Sequence, residues 1–338
     1  MSTIRSPLRD LLELSMSRTP SAWEDRFSHW ERPASPTEEL EIEKTAKKVR
    51  EALAADPWFA NEGVEIRPQG SYHNNTNVRL EADMDLCAWH QGISVLAEAS
   101  VMGELAEIDR ELGLSPTGRS RPAIAAAIRS RVVLATVAAF DARNVDASGT
   151  KAVTISNIPG SRAPADVVPA LKTLYVRRSK GLLEFTGGKY FAREGVVIYG
   201  TDGSQTINFP ALHYQNGVWK RSATSHRFKK MVRIFKKLRD ELVVLGTLKQ
   251  GEVPSFFIES LVWGVENPHF EADGSRYERA KRLLLRMDAQ LADPLHVAAA
   301  TEINGVKPLY DSTAPWFQKW TPALAQKFVV AAWKRLTD

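Results

Sequence analysis

The stretch from Gln69-Gly70-Ser71-Tyr72 to Asp83-Met84-Asp85-Leu86-Cys87-Ala88 restricts this chain more than any other. Met84, Leu86 and Ala88 alternate with Asp83, Asp85 and Cys87 in the two-residue period of a strand, so the two carboxylates project from one face. Such a pair makes a poor apolar face but a good cradle for a hard divalent cation. Mg²⁺ prefers oxygen ligands, commonly one or two carboxylates completed by substrate phosphates and water. Upstream, Val64 to Gln69 alternates as a second strand and runs into Gly70-Ser71. Glycine lets backbone come close to a phosphate, and the exposed N–H groups and the Ser71 hydroxyl can donate to its oxygens. Gln69, Gly70 and Ser71 therefore form a candidate phosphate grip beside a candidate metal cradle.

In-line transfer at phosphorus usually uses one metal on the attacking hydroxyl and another on the leaving group, which calls for a third carboxylate. Asp166, in Ala165-Asp166-Val167-Val168-Pro169, is the candidate. It is a lone acid opening an apolar strand, where an unpaired carboxylate is costly unless it meets a cation. The bland readings are a turn or capping aspartate for Asp166, solvent-facing strand acids for Asp83 and Asp85, and a turn-forming hydroxyl for Ser71.

Helical spacing marks residues 5–18 and 37–55, the latter opened by Ser35-Pro36-Thr37-Glu38-Glu39, a capping residue with proline and early acids. A further helix is expected over 120–143, and strands over 151–156, 166–176 and 196–199. After Asn216-Gly217 the pattern turns helical, over 222–246, 254–265, 276–292 and 318–336. Strands and helices followed by a helical half imply an α+β fold of two lobes, residues 1–215 and 216–338, with the site in the cleft between them. The first helices could pack on the second lobe. Trp263, Trp316, Trp320 and Trp333 read as core of that lobe, and Tyr72 and Tyr199 as core more readily than as base-stacking residues. Residues 186–193, with two adjacent glycines, suggest a surface hairpin.

The 338 residues are 43% hydrophobic and 25% charged, an ordinary globular balance that excludes disorder. No stretch reads as approaching the roughly 20 apolar residues of a membrane span, and no apolar segment follows the first charges to make a secretory signal. The expectation is a cytoplasmic protein with no membrane partner. The single cysteine, Cys87, excludes an internal disulfide and a cysteine-based zinc site, and reads as a buried thiol. A net charge of +5 suits anionic substrates. Between Lys220 and Arg239 basic residues are dense and acids absent, the mark of a solvated face or a phosphate-binding groove.

The order Gly-Ser, Asp-x-Asp and a distant strand aspartate resembles the nucleotidyltransferases related to DNA polymerase beta. Together with Thr76-Asn77, Asn208-Phe209-Pro210 followed by His213, Arg227-Phe228-Lys229 to Arg233, and Pro254-Ser255-Phe256-Phe257-Ile258-Glu259, it looks like the bacterial CD-NTases. These are cyclic GMP–AMP synthase/DncV-like enzymes of anti-phage (CBASS) signalling. The resemblance covers about residues 65–265. It implies a polymerase-beta-like catalytic lobe with a mixed sheet, and a helical lobe of the oligoadenylate-synthetase type. It further implies that Asp83, Asp85 and Asp166 hold two Mg²⁺ ions, for which Mn²⁺ can substitute. Gly70 and Ser71 would grip the donor triphosphate, and Lys229, with Lys230 or Arg233, and Ser255 would reach its terminal phosphates. A ribose hydroxyl would attack the α-phosphate, pyrophosphate would leave, and a second transfer would close a cyclic di- or trinucleotide.

The implied partners are nucleoside triphosphates, a separately encoded effector that senses the product, and a regulatory protein. Lys229, Lys230 and Arg233 read equally as a solvated helix face, Ser255 as a plain helix cap, and His213 as structural. Lacking further cysteines, the chain departs from the animal relatives that sense DNA through a zinc-binding insertion. The rival readings are an RNA-directed terminal or toxin/antitoxin nucleotidyltransferase, needing a basic RNA track, and a non-catalytic nucleotide-binding protein.

Overall fold

The computed structural model describes residues 19–78, 83–114, 118–179, 189–310 and 320–337. The helix expected over 5–18, and Trp316, lie outside them, as do residues 186–188 of the expected hairpin; Tyr190–Arg193 begin a strand.

Helix α1 (Pro20–Trp30) is capped by the Thr19 hydroxyl. Helix α2 (Pro36–Ala54) opens on a reciprocal capping box: the Glu38 N–H donates to the Ser35 hydroxyl and the Ser35 N–H to the Glu38 carboxylate. Its apolar stripe, Ile42, Ala46, Val49 and Leu53, is buried. After the short α3 (Pro57–Asn61), β1 (Val64–Gln69) leads into a four-residue turn of helix, α4 (Gly70–His73), and then β2 (Met84–Ala97). Helices α5 (Leu105–Glu111) and α6 (Arg121–Phe140) precede β3 (Val145–Asp146), β4 (Val153–Ile155), β5 (Ala165–Arg178), β6 (Tyr190–Tyr199) and β7 (Gln205–Asn208).

These seven strands form one mixed sheet. β2 and β5 run parallel down its centre, and β1 pairs antiparallel with β2. The other edge of β5 is shared: β4 pairs with Ala165–Val167 and β6 with Leu171–Arg178. The central segments of β2 and β5, residues 86–90 and 167–171, are buried, as expected of parallel strands covered on both faces. Cys87 is buried within this sheet.

Among the described residues one helix, α6, is long and apolar enough to cross a membrane, which corrects the expectation that no stretch comes close. Its two internal arginines, Arg129 and Arg131, mask an otherwise alanine- and valine-rich run in the sequence. In this fold Ile124, Ile128, Val132 and Phe140 bury one face of it in the core shared with α2 and the sheet.

The helical part comprises α7 (Pro210–Ala223), α8 (Arg227–Val244), α9 (Ser255–Gly264), α10 (Pro268–Glu271), α11 (Arg276–Leu291), α12 (Pro294–Ala299) and α13 (Pro322–Thr337). Asn216-Gly217 lies inside α7 rather than in a turn; Gly217 is buried, packed near Ile303 and Lys229. The chain breaks instead at Ser225 and His226, both left-handed, so the helix expected over 222–246 starts at Arg227, and α7 before it is unexpected. Trp23 and Phe27 of α1 join Phe228, Phe235, Phe257 and Phe328 in one core, so α1 packs with the helical part. Trp320 is in that core, and Trp263 and Trp333 pack against it.

Candidate active site

Sheet register assembles the site. Gln69 of β1 lies opposite Asp85 of β2, Asp85 opposite Asp166 of β5, and Asp166 opposite Thr154 of β4, one row across four strands. Asp83 stands just ahead of β2, two residues from Asp85 and on the same face. One carboxylate oxygen from each of Asp83, Asp85 and Asp166 lies within 4.8 Å of the other two. The Thr154 hydroxyl donates to Asp166 Oδ1 at 2.6 Å, fixing that carboxylate's orientation.

The grip sits directly above. Gly70 takes φ +74°, and a Cβ there would fall 1.7 Å from Asp85 Oδ2, so only glycine lets the turn approach the carboxylate. The Asn74 N–H and side-chain amide both donate to the Gly70 carbonyl, closing the turn. Among the described residues the Ser71 hydroxyl has no internal hydrogen bond, which leaves it available to a ligand.

Charge in the cluster is uncompensated. Burial, with Asp83 and Asp166 close by, pushes the Asp85 carboxyl up to about 7. Burial and Asp166 also raise Asp83, opposed by a backbone hydrogen bond and by the Lys236 ammonium. Three half-buried carboxylates that repel one another, with only oxygen donors, fit a hard divalent cation. The cluster could hold a metal ion.

The other expected phosphate residues part company. Lys229 on α8 is buried, and among the described residues its amine has no hydrogen-bond or ion-pair partner; it lies 5.9 Å from the Tyr214 ring centroid. Burial lowers its pKa, against the pull of Glu259. Tyr214 itself stacks on His73 of the grip turn, centroids 4.6 Å apart, joining α7 to α4. Lys230 is exposed and pairs with Glu31 at 3.4 Å. Arg233 turns away: its Nε donates to the Glu31 carbonyl and a terminal nitrogen to the Asn75 carbonyl and side-chain oxygen. Ser255 opens α9 one residue after the N-cap, Pro254, and its hydroxyl accepts from Arg239 at 3.1 Å.

Sequence reasoning missed Thr154, whose role depends on cross-strand register, and Glu259 as the partner of His213 at 2.8 Å. His213 is thus structural in its contacts. Tyr72 and Tyr199 pack against the sheet's core. A separate cavity of about 260 Å³ lies in the helical part, lined by Ser260, Trp263, Gln290, His296 and Tyr310 among others, and no carboxylate lines it.

Residues 215–337 match the family model of the cGAS/DncV-like nucleotidyltransferase C-terminal helical domain. The chain is 28% identical over 311 residues to a cyclic dipyrimidine nucleotide synthase, CdnE, of Legionella pneumophila, covering 92% of this chain and 97% of the relative. It is also 28% identical over 295 residues to a cyclic dipurine nucleotide synthase of Elizabethkingia meningoseptica, covering 86% and 92%. The solved structure of E. meningoseptica CdnE with GTP and Apcpp superposes with a TM-score of 0.71 at 27% identity, covering 93% of this chain and 99% of that one.

Proposed function

We propose that the chain, which resembles the cGAS/DncV-like nucleotidyltransferases in its C-terminal helical domain and CdnE synthases along most of its length, condenses nucleoside triphosphates into a cyclic di- or trinucleotide, releasing pyrophosphate. The observation that carries the reading is the convergence of Asp83, Asp85 and Asp166 beneath the Gly70-Ser71 turn. We place the boundary between catalytic and helical lobes near residue 215.

A divalent ion held by the three aspartates, magnesium by the oxygen-only donor set and manganese as its substitute, supplies Lewis-acid activation of the phosphoryl group and neutralises the charge that develops. The chain's own groups do the positioning. Backbone N–H groups after Gly70 and the Ser71 hydroxyl donate to the donor's phosphate oxygens, and Thr154 keeps Asp166 aimed into the cluster. The unpartnered Lys229 amine meets the terminal phosphates as a point charge. The acceptor's ribose hydroxyl forms a bond to the α-phosphorus while the bond to the β-phosphate oxygen breaks. The hydroxyl proton passes to solvent and pyrophosphate departs; repeating the transfer at the other end closes the ring.

The product acts, in this reading, as a second messenger in the cytoplasm, sensed by a separately encoded effector in anti-phage (CBASS) defence. Since relatives of equal identity make dipyrimidine or dipurine products, the test offers all four labelled triphosphates with Mg²⁺ or Mn²⁺, with and without RNA. Phosphatase-resistant small products formed without RNA support the reading. Label entering long species only when RNA is present would replace it with the RNA-directed one.

A further inference from the structure

Two consecutive residues just beyond the grip are held by groups from the helical lobe. Asn75 takes the left-handed φ of +51°, which asparagine tolerates better than other non-glycine residues. Its carbonyl accepts from Arg233 at 2.7 Å and its side-chain oxygen from the same nitrogen at 3.1 Å. The next residue, Thr76, is fully buried. Its carbonyl accepts from Lys236 Nζ at 3.0 Å, and its hydroxyl donates to Glu259 Oε2 at 3.0 Å.

The network is closed on itself. Glu259 also meets His213 Nε2 at 2.8 Å and lies 3.6 Å from Lys236. The carboxylate is buried, which alone would raise its pKa, yet His213, Lys236 and the Thr76 hydroxyl hold it down at about 2, ionised. Helix α8 thus sends Arg233 to Asn75 and Lys236 to Thr76, α9 sends Glu259 to Thr76, and His213 of α7 braces Glu259. Leaving any member of such a network unpaired is costly, so the loop has one position relative to the helical lobe.

That position reaches the grip turn through backbone bonds, the Asn75 N–H donating to the Tyr72 carbonyl at 2.9 Å. The Thr76 N–H donates to the Ser71 carbonyl at 2.9 Å. We propose that Arg233, Lys236 and Glu259 are positioning residues: through Asn75 and Thr76 they set the Gly70-Ser71 turn against the Lys229 amine, so that both ends of one triphosphate are met at once. The proposal rests on the triphosphate reading above. It also explains why Arg233, one helical turn from Lys229, faces the loop instead of the cleft.

The test uses the full chain. Thr76→Val keeps the shape and removes the hydroxyl; Thr76→Ser restores it; Asn75→Gly accepts the left-handed backbone, keeps the carbonyl and removes the whole side chain with its oxygen. Two quantities are read: KM and kcat for pyrophosphate release from the four triphosphates, and the rise in melting temperature that each triphosphate produces with Mg²⁺. Thr76→Val is expected to raise KM about tenfold and remove most of the ligand-induced rise, with Thr76→Ser near wild type and Asn75→Gly raising KM about threefold. If Thr76→Val and Asn75→Gly melt lower but keep wild-type KM and ligand-induced stabilisation, the residues only join the lobes and the proposal is overturned. Should Thr76→Val fail to fold, Asn75→Gly decides alone. A wild type that is stabilised by triphosphates but releases no pyrophosphate would count against the catalytic reading, while the melting comparison would still decide this one.

Discussion

Replacing Asp85 by asparagine should stabilise the metal-free protein while abolishing its activity. With oxygens up to 4.8 Å apart, two carboxylates repel by about 3–4 kcal/mol at an effective dielectric near 20. A carboxyl displaced from 3.8 to about 7 corresponds to roughly 4 kcal/mol between its protonated and ionised forms. Asp83, close by, is raised as well and shares the relief, so about half of that, ~2 kcal/mol, should be visible in unfolding. The folded state favours protonated Asp85 more than the unfolded chain does. Its contribution is therefore intact below about pH 4 and is lost as the pH rises through about 7. In EDTA at pH 8, Asp85→Asn should melt about 4 °C above wild type, and the gap should close toward pH 4. Mg²⁺ or Mn²⁺ should raise the wild-type melting point at pH 8 but barely move the variant. Pyrophosphate release should fall at least about 100-fold. A variant that melts below wild type in EDTA at pH 8, or a wild type indifferent to divalent ions, would refute the argument that unneutralised charge is stored in this cluster.

Gly70→Ala should cost about 2 kcal/mol in urea unfolding and nearly all activity, since both the positive φ and the 1.7 Å approach to Asp85 forbid a Cβ. Lys229→Met should raise the triphosphate KM about 10- to 100-fold without lowering the melting temperature, because the amine is desolvated and unpartnered; a destabilised variant with unchanged KM would mean a structural lysine. Thr154→Val should lower kcat about tenfold with little change in KM, and Thr154→Ser should recover it, if the 2.6 Å bond to Asp166 serves chiefly to aim that carboxylate.

The acidic half of the site was legible because its signal is local. Asp83 and Asp85 share a strand face by simple alternation, and Asp166 betrays itself as a charge opening an apolar run. The capping box at Ser35 and Glu38 was readable for the same reason. What escaped depends on register and tertiary packing. Thr154 looks like any β-branched strand residue until β4 is set against β5. Asn216-Gly217 carries a turn signal that tertiary context overrides, since α7 runs through it and buries Gly217 near Ile303 and Lys229. Arg233 was placed one turn from Lys229 correctly, but spacing gives the helix face and not the partner, and its partner was the Asn75 carbonyl.

The basic run from Lys220 to Arg239 was the feature that kept an RNA-directed reading alive, and its contacts now weigh against it. A track for a phosphate backbone needs cations free to neutralise successive charges. Here Lys220 donates to the Val265 carbonyl, Arg227 to those of Phe270 and Glu271, and Arg239 to that of Val253. Lys230 pairs with Glu31, and Arg233 and Lys236 hold the loop at Asn75 and Thr76; Lys237 also has a partner. Within the run only the Arg221 and Lys229 side chains lack one among the described residues, and the pKa of Lys229 is lowered in part by the charge of Arg221. Two such cations near each other suit the compact charge of one triphosphate rather than an extended strand. The clustering of basic residues follows from α8 being the helix that ties three parts of the molecule together by charged hydrogen bonds, and the charge left over is about what a single donor nucleotide requires.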